Sequence, residues 1–406
     1  MTAPIASGWS GCRVGLAPTG KRRLCTAHTQ LGRLKYARPS RCSVRPQNLP
    51  VTLKTTVVLS VEVILNPRES SVRPRKSIST LCSIAFVYAA VFWHARDAGA
   101  QTSNTSPTQS GTRLVTLGTR VGPVPVAHQA QSSNLLIVNG TLYLIDAGDG
   151  TLRRLAKAGI KFTEIGVIFI THPHSDHMAG LGPLMAIERH EGRKDPINVY
   201  GPHGVETIVA GIIQYFTPDS EIRWDEGLRT SMQDMFRGHE VAPGLVYQDA
   251  NIKVTAAENT HMHLTPANPA YGKYQSYAYR FETPDKVVVF TGDTGPSQSV
   301  EELAKNADML VSEVLVIDDF VETLKKNGTW DAMSTERQVG RVRHLSEDHL
   351  TPEEVGKLAS RAKVKRVVLT HMILTGDDDA DLRHYANGVK KFYSGPVDLA
   401  KDLKQF

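Results

Sequence analysis

Four potential metal ligands fall within six residues in the string Thr171-His172-Pro173-His174-Ser175-Asp176-His177. The string follows the apolar residues 167–170, which read as a buried strand, and precedes a helical stretch at 178–190. On a turn at the end of a strand, His172 and His174 alternate and can face one point, while Asp176 and His177 face a neighbouring one. Imidazole and carboxylate together suit Zn²⁺ or a similar divalent ion. Two such sites side by side would clamp the attacking and leaving oxygens of a displacement reaction. A surface turn rich in histidine by chance would rarely concentrate four titratable ligands so tightly.

The elements that must position these residues are short. From Arg113 onward, β-type runs at 113–117, 134–138, 141–145, 167–170, 199–200, 252–256, 276–281, 287–290, 309–314 and 366–369 are separated by Gly and Asp turns. Helical stretches fall at 152–158, 178–190, 204–216, 299–306 and 352–362. This mixture, without an internal repeat, predicts one α/β domain of layered sheets over residues 112–406. Asp293 and His371 each end a β-type run, where a side chain can project from a sheet edge. His261 and His263 face the same side of an extended segment and compete for one role. Residues 316–345, charged and containing Trp330, fit no assigned element and read as a lid or helical insertion.

The string, together with Leu117-Gly118-Thr119, Leu144-Ile145-Asp146-Ala147-Gly148, Glu258-Asn259-Thr260-His261, Phe290-Thr291-Gly292-Asp293-Thr294 and Leu369-Thr370-His371 in that order, resembles the metallo-β-lactamase superfamily from about Arg113 to Phe406. The resemblance implies a four-layer αββα sandwich, two β-sheets face to face between outer helices, with metals at one edge. It implies two divalent ions, Zn first, with Mn or Fe as alternatives. His172, His174 and His261 would hold the first ion and Asp176, His177 and His371 the second, with Asp293 bridging. The Glu-Asn-Thr-His context favours His261 over His263. Asp146 reads as a hydrogen-bonding support for the ligands rather than as a ligand.

Asp293 and His349-Leu350-Thr351 resemble the ribonuclease Z and phosphodiesterase branch of that superfamily. There His349 would protonate the leaving oxygen or hold the phosphoryl group, Glu313 would orient it, and Asp176 would guide the proton of the attacking water. His349 also reads as a solvated histidine at a helix start, before the cap formed by Thr351, Pro352 and Glu354; both readings can hold together. His190, His203, His239, His344 and His384 lack ligand spacing and read as surface or packing residues. The turn Gly201-Pro202-His203-Gly204 and the aromatics Trp224, Tyr271, Phe320 and Trp330 are candidates for the pocket wall.

Charge and cysteine divide the chain. The net charge is +6 and the pI about 9.0, yet residues 1–101 carry 15 Lys or Arg against Glu62, Glu69 and Asp97. The remainder is net acidic, which argues against electrostatic attraction to nucleic acid. All four cysteines precede residue 83, so thiolate ligands and disulfides are excluded from the catalytic region. Arg73 to Lys76, the uncharged residues 77–93 and Ala98-Gly99-Ala100 read as a signal peptide over 72–100, implying a periplasmic or secreted enzyme. Residues 1–71 then read as disordered or as sequence upstream of a true start near Val72, and 101–111 as a flexible lead-in.

These readings predict an exported binuclear hydrolase that cleaves phosphodiester or related ester bonds of a small molecule through metal-bound hydroxide. A ribonuclease Z-type endonuclease acting at tRNA 3′ ends is the alternative, weakened by the acidic balance, the leader and the lack of a Gly/Pro-rich basic arm in 178–260. Arylsulfatase or lactonase activity is a further alternative, and β-lactam hydrolysis ranks lower because Asp293 would be absent. An iron redox protein would usually carry an acid at the position of His174. A metal-stabilised binding module is the non-enzymatic option. Homodimers occur in the superfamily, and a homodimer stands as an open expectation.

Overall fold

A computed structural model describes residues 110–373 and 382–406. The expected upstream segment, the leader and residues 101–109 of the lead-in lie outside the described residues. No helix among the described residues is long and apolar enough to cross a membrane.

The chain order is β1 (Thr112–Gly118), β2 (Ser133–Val138), β3 (Thr141–Ile145), α1 (Thr151–Lys157), β4 (Ile165–Phe169), α2 (Ser175–Met178), α3 (Leu181–His190), β5 (Ile197–Gly201), α4 (Val205–Ile222), α5 (Met232–Met235), β6 (Phe236–Glu240), β7 (Gly244–Gln248) and β8 (Lys253–Glu258). There follow β9 (Tyr277–Glu282), β10 (Val287–Phe290), α6 (Gln298–Leu303), β11 (Met309–Glu313), α7 (Ile317–Lys326), α8 (Thr335–Glu347), α9 (Pro352–Arg361), β12 (Val367–Thr370), α10 (Arg383–Lys390), β13 (Val397–Leu399) and β14 (Lys404–Gln405).

The strands form two sheets, ordered β14-β1-β2-β3-β4-β5-β6 and β13-β12-β11-β10-β9-β8-β7. Strands such as β2, β11 and β12 are buried at every position, which is why they read as continuous apolar runs rather than alternating ones. One face of each strand meets the opposite sheet, where Leu114, Tyr143, Phe169, Tyr279, Phe281 and Phe290 form the central core. The other face meets helices. Leu181, Met185, Val205 and Val209 of α3 and α4 cover the first sheet; Val300, Val355, Leu358 and Val389 of α6, α9 and α10 cover the second. The expected αββα sandwich is the observed architecture.

Some boundaries differ from expectation. The helix read at 178–190 begins only at Leu181, after the short helix Ser175–Met178, because the Gly180 N–H donates to Ala147 O at 2.8 Å instead of continuing a helix. A Cβ on Gly180 would meet Gly148 O at 2.2 Å, and one on Gly148 would meet Asp176 O at 2.2 Å, so two glycines allow the ligand-bearing turn to lie against the loop after β3. The unassigned residues 316–345 hold α7 and α8, a helical pair whose Phe320, Leu324 and Leu345 cover Val121 and Ile373.

Glu188 on α3 is buried with neither carboxylate oxygen hydrogen-bonded. Burial raises its carboxyl to about 9, with Arg193 acting weakly in the other direction. Between the ordinary glutamate range and about 9, the unfolded chain releases this proton while the folded chain keeps it. Stability should therefore fall with rising pH across that window, by up to about 1.4 kcal/mol per pH unit, and level off above it. Urea unfolding of Glu188→Gln is expected to lack this slope; an unchanged slope would exclude Glu188 as its source.

Candidate metal centre

Strand direction assembles the site. β3 and β4 run parallel, as do β10, β11 and β12, so the residues following their C-terminal ends emerge at one edge. These are Asp146 after β3, the 171–177 turn after β4, Asp293 after β10, Glu313 at the end of β11 and His371 after β12. β8 is antiparallel to β9, which is antiparallel to β10, and so delivers His261 to the same edge. Asp146 and His371 sit at φ 60° and 56°, a left-handed conformation that costs a residue with a Cβ about 1–2 kcal/mol. The cost falls at two residues that aim side chains at the site, a common location for stored strain.

All seven ligand candidates converge. His172, His174 and His261 offer ligand atoms within 4.8 Å of one another, as do Asp176, His177, Asp293 and His371. The Asp293 Oδ2 atom lies 3.3 Å from both His177 Nε2 and His371 Nε2, 3.8 Å from His172 Nε2 and 3.9 Å from His261 Nε2. It therefore faces both groups, as a bridging ligand must. Asp176 Oδ2 is 3.4 Å from His371 Nε2 and 3.8 Å from His177 Nε2. These spacings are mostly too long for hydrogen bonds but close to the ~3.3 Å separating two ligands of a tetrahedral ion with ~2.0–2.1 Å bonds.

The donor chemistry also fits divalent cations. His172 Nε2 and His177 Nε2 are buried without a hydrogen-bond partner, an arrangement that is costly unless an ion satisfies them. Burial holds the His172 and His261 rings well below the usual histidine range, leaving the neutral imidazole that binds metal. Burial opposes ionisation of Asp293, but His371 and His177 overcome it and hold its carboxyl well below the ordinary carboxylate range.

Surrounding groups fix each ring. The His177 Nδ1–H donates to Asp146 Oδ2 at 2.8 Å, and Asp146 Oδ1 accepts the Thr171 N–H at 2.8 Å. The His261 Nδ1–H donates to Asp348 O at 2.9 Å. Both tautomers leave Nε2 unprotonated and facing the centre, where His261 Nε2 lies 3.0 Å from His174 Nδ1. Asp146 thus supports the ligands from behind. His263 is excluded from the cluster: its side chain is 66% exposed, against 2% for the residue His261.

His349 is buried beside the cluster, and its Nδ1–H donates to Glu313 Oε2 at 2.8 Å. Glu313 Oε1 accepts the Thr294 N–H at 2.8 Å, the residue after Asp293. Burial works against a charged His349, but Glu313 raises its pKa above the ordinary value. Thr351 caps α9 in a capping box with Glu354, so the helix-start reading holds as well, although His349 itself is buried rather than solvated.

The cluster opens into a cavity of about 160 Å³. Its wall includes His174, Asp176, His261, Asp293, His349 and His371, and also residues that sequence reasoning missed: Val121–Pro123 after β1 and Arg341, His344 and Leu345 of α8. His344 donates from Nδ1 to Asp348 Oδ2 at 2.7 Å, so it is a pocket residue rather than a surface one. The available signal was helical spacing, since Arg341, His344 and Leu345 recur at i, i+3 and i+4. Of the proposed cleft aromatics, Phe320 lines this cavity, whereas Trp330 packs under α7 and α8. Trp224, Tyr271 and the Gly201–Gly204 turn are not in its wall.

Comparison with known proteins is consistent across sequence and structure. Residues 141–372 match the family described as the Beta-lactamase superfamily domain. A Ribonuclease Z of Mycobacterium sp. (strain KMS) is 31% identical over 293 residues, covering 71% of this chain and 94% of the relative. A Ribonuclease Z of Methanothermobacter thermautotrophicus is 28% identical over 289 residues, covering 61% and 83%. The metallo-beta-lactamase fold protein YhfI of Bacillus subtilis shares the fold with a TM-score of 0.51 at 22% identity, covering 73% of this chain and 98% of that one.

Proposed function

Because the chain belongs to the beta-lactamase superfamily and is a hydrolase of it, we propose that it cleaves phosphodiester bonds of RNA in the manner of its Ribonuclease Z relatives. The observation that carries this reading is His349, backed by Glu313, on the same cavity wall as the seven-residue His/Asp cluster. It reverses the preference, drawn from charge, for a small-molecule ester.

His172, His174 and His261 would hold one cation and Asp176, His177 and His371 a second, with Asp293 between them. Divalent ions there would supply Lewis acidity toward a phosphoryl group. The protein's own residues supply the rest. Glu313 fixes the His349 tautomer so that Nε2, the ring atom not bonded to Glu313, can deliver a proton to the leaving oxygen. Arg341 on α8 brings a guanidinium to the cavity wall, suited to a non-bridging phosphoryl oxygen. Asp176 Oδ2 accepts the Gly122 N–H at 2.9 Å, which ties the loop after β1 to the centre.

The test is incubation of the metal-loaded protein with a precursor tRNA bearing a 3′ trailer, beside bis(4-nitrophenyl) phosphate. Endonucleolytic release of the trailer, lost on adding a chelator, is expected. Intact precursor alongside hydrolysis of the small diester would favour a second reading, a small-diester hydrolase acting after export. That reading is supported by the acidic balance of the chain beyond residue 101 and by the leader-like residues 72–100.

A further inference from the structure

A second cavity, of about 330 Å³, adjoins the one at the cluster. The loop Val121–Pro123 and Phe320 of α7 line both, and the bond from the Gly122 N–H to Asp176 fixes that shared wall to the centre. Much of the second cavity is apolar. Arg120 lies in its wall and is only 6% exposed.

Among the described residues no hydrogen bond or ion pair to the Arg120 side chain accounts for its burial; the titratable group that acts on it is the Tyr385 phenol. Its Nε is without a hydrogen bond, and none of the ion pairs among the described residues includes it. Its backbone is pinned, with the N–H bonded to Ala130 O at 2.9 Å and bridges to Gln131 and to Met372, the residue after His371. A guanidinium cannot shed its proton, and a buried unpaired charge is costly unless an anion meets it. Among the described residues of the cavity wall, Val121, Val124, Leu324 and Ile373 are apolar, Lys326 is a second cation, and none is acidic.

We propose that this second cavity is an anion subsite in which Arg120 receives a second negatively charged group of the substrate, while the apolar walls take the uncharged part between the two anions. The inference rests on the phosphodiesterase reading above. On that reading the second anion is the phosphate next along the chain from the one at the cluster, and the part between is the sugar and base of one nucleotide. Specificity for a chain of phosphates then arises from buried Arg120, with Lys326 on the same cavity wall, rather than from a broad basic surface, which matches the acidic balance of this part of the sequence.

Calorimetric titration of the zinc-loaded protein with uridine 5′-monophosphate and uridine 3′,5′-bisphosphate tests it. The bisphosphate is expected to bind roughly 10–100-fold more tightly, the worth of a hydrogen bond to a charged group. Arg120→Met should erase that ratio and Arg120→Lys should keep part of it. Thr323→Trp, which fills the cavity from α7, should erase it independently should the Met variant fail to fold. Equal affinities in the wild type, or a preference that survives both Arg120→Met and Thr323→Trp, would overturn the subsite. A bisphosphate preference without hydrolysis of any phosphodiester would overturn only the phosphodiesterase reading, and hydrolysis without the preference only the subsite.

Discussion

Asp293→Ala is expected to remove both turnover and tightly held cations. Asp293 Oδ2 is the atom within 4 Å of four histidines, so its loss strips charge from both halves of the cluster and leaves buried imidazoles facing one another. Removing a single electrostatic donor from an active site typically costs about 10²–10³ in kcat; loss of a group shared by two cations should exceed about 10³. Asp293→Asn keeps the volume but not the charge and should behave nearly as badly. Elemental analysis and kinetics together check this. A variant that holds the full complement of metal would show that Asp293 does not bridge.

The second large effect falls on His349. His349→Ala is expected to lower kcat by about 10²–10⁴, the usual worth of a positioned acid or base, with metal content unchanged. Glu313→Gln should produce a smaller loss, because a Gln amide oxygen can still accept from the Thr294 and Leu350 backbone N–H groups that Glu313 Oε1 now serves. The double variant should be no worse than His349→Ala alone, since Glu313 acts through the ring. Loss of metal in His349→Ala would contradict this assignment and recast the residue as a ligand, a role that the close grouping of Asp293, Glu313, His349 and His371 also permits.

The candidate ligands were legible because most follow an element with a clear signature, and Asp176 and His177 open the short helix after β4. Buried β-runs ending in His172, Asp293 and His371 can be read from hydrophobicity alone, and strand polarity then places their ends together. Choosing His261 over His263 needed the resemblance, because both lie on one side of an extended segment; burial decides between them. The walls of the cavity were harder to read. Arg341, His344 and Leu345 lie on α8, whose charged sequence hid the helical spacing that relates them, and its packing onto Val121 and Ile373 is a tertiary contact. Arg120 was invisible for a related reason, since nothing in the string Leu-Gly-Thr-Arg-Val-Gly announces a buried guanidinium. The split between α2 and α3 was likewise missed because it depends on Gly180 meeting Ala147 across space.

The candidate ligands span His172 to His371, and the two sheets contribute from opposite sides of the core. During synthesis the first sheet's histidines emerge long before β12 does, so the cluster is complete only once His371 has been made. An ion held jointly by the whole cluster could therefore be captured only after both sheets exist.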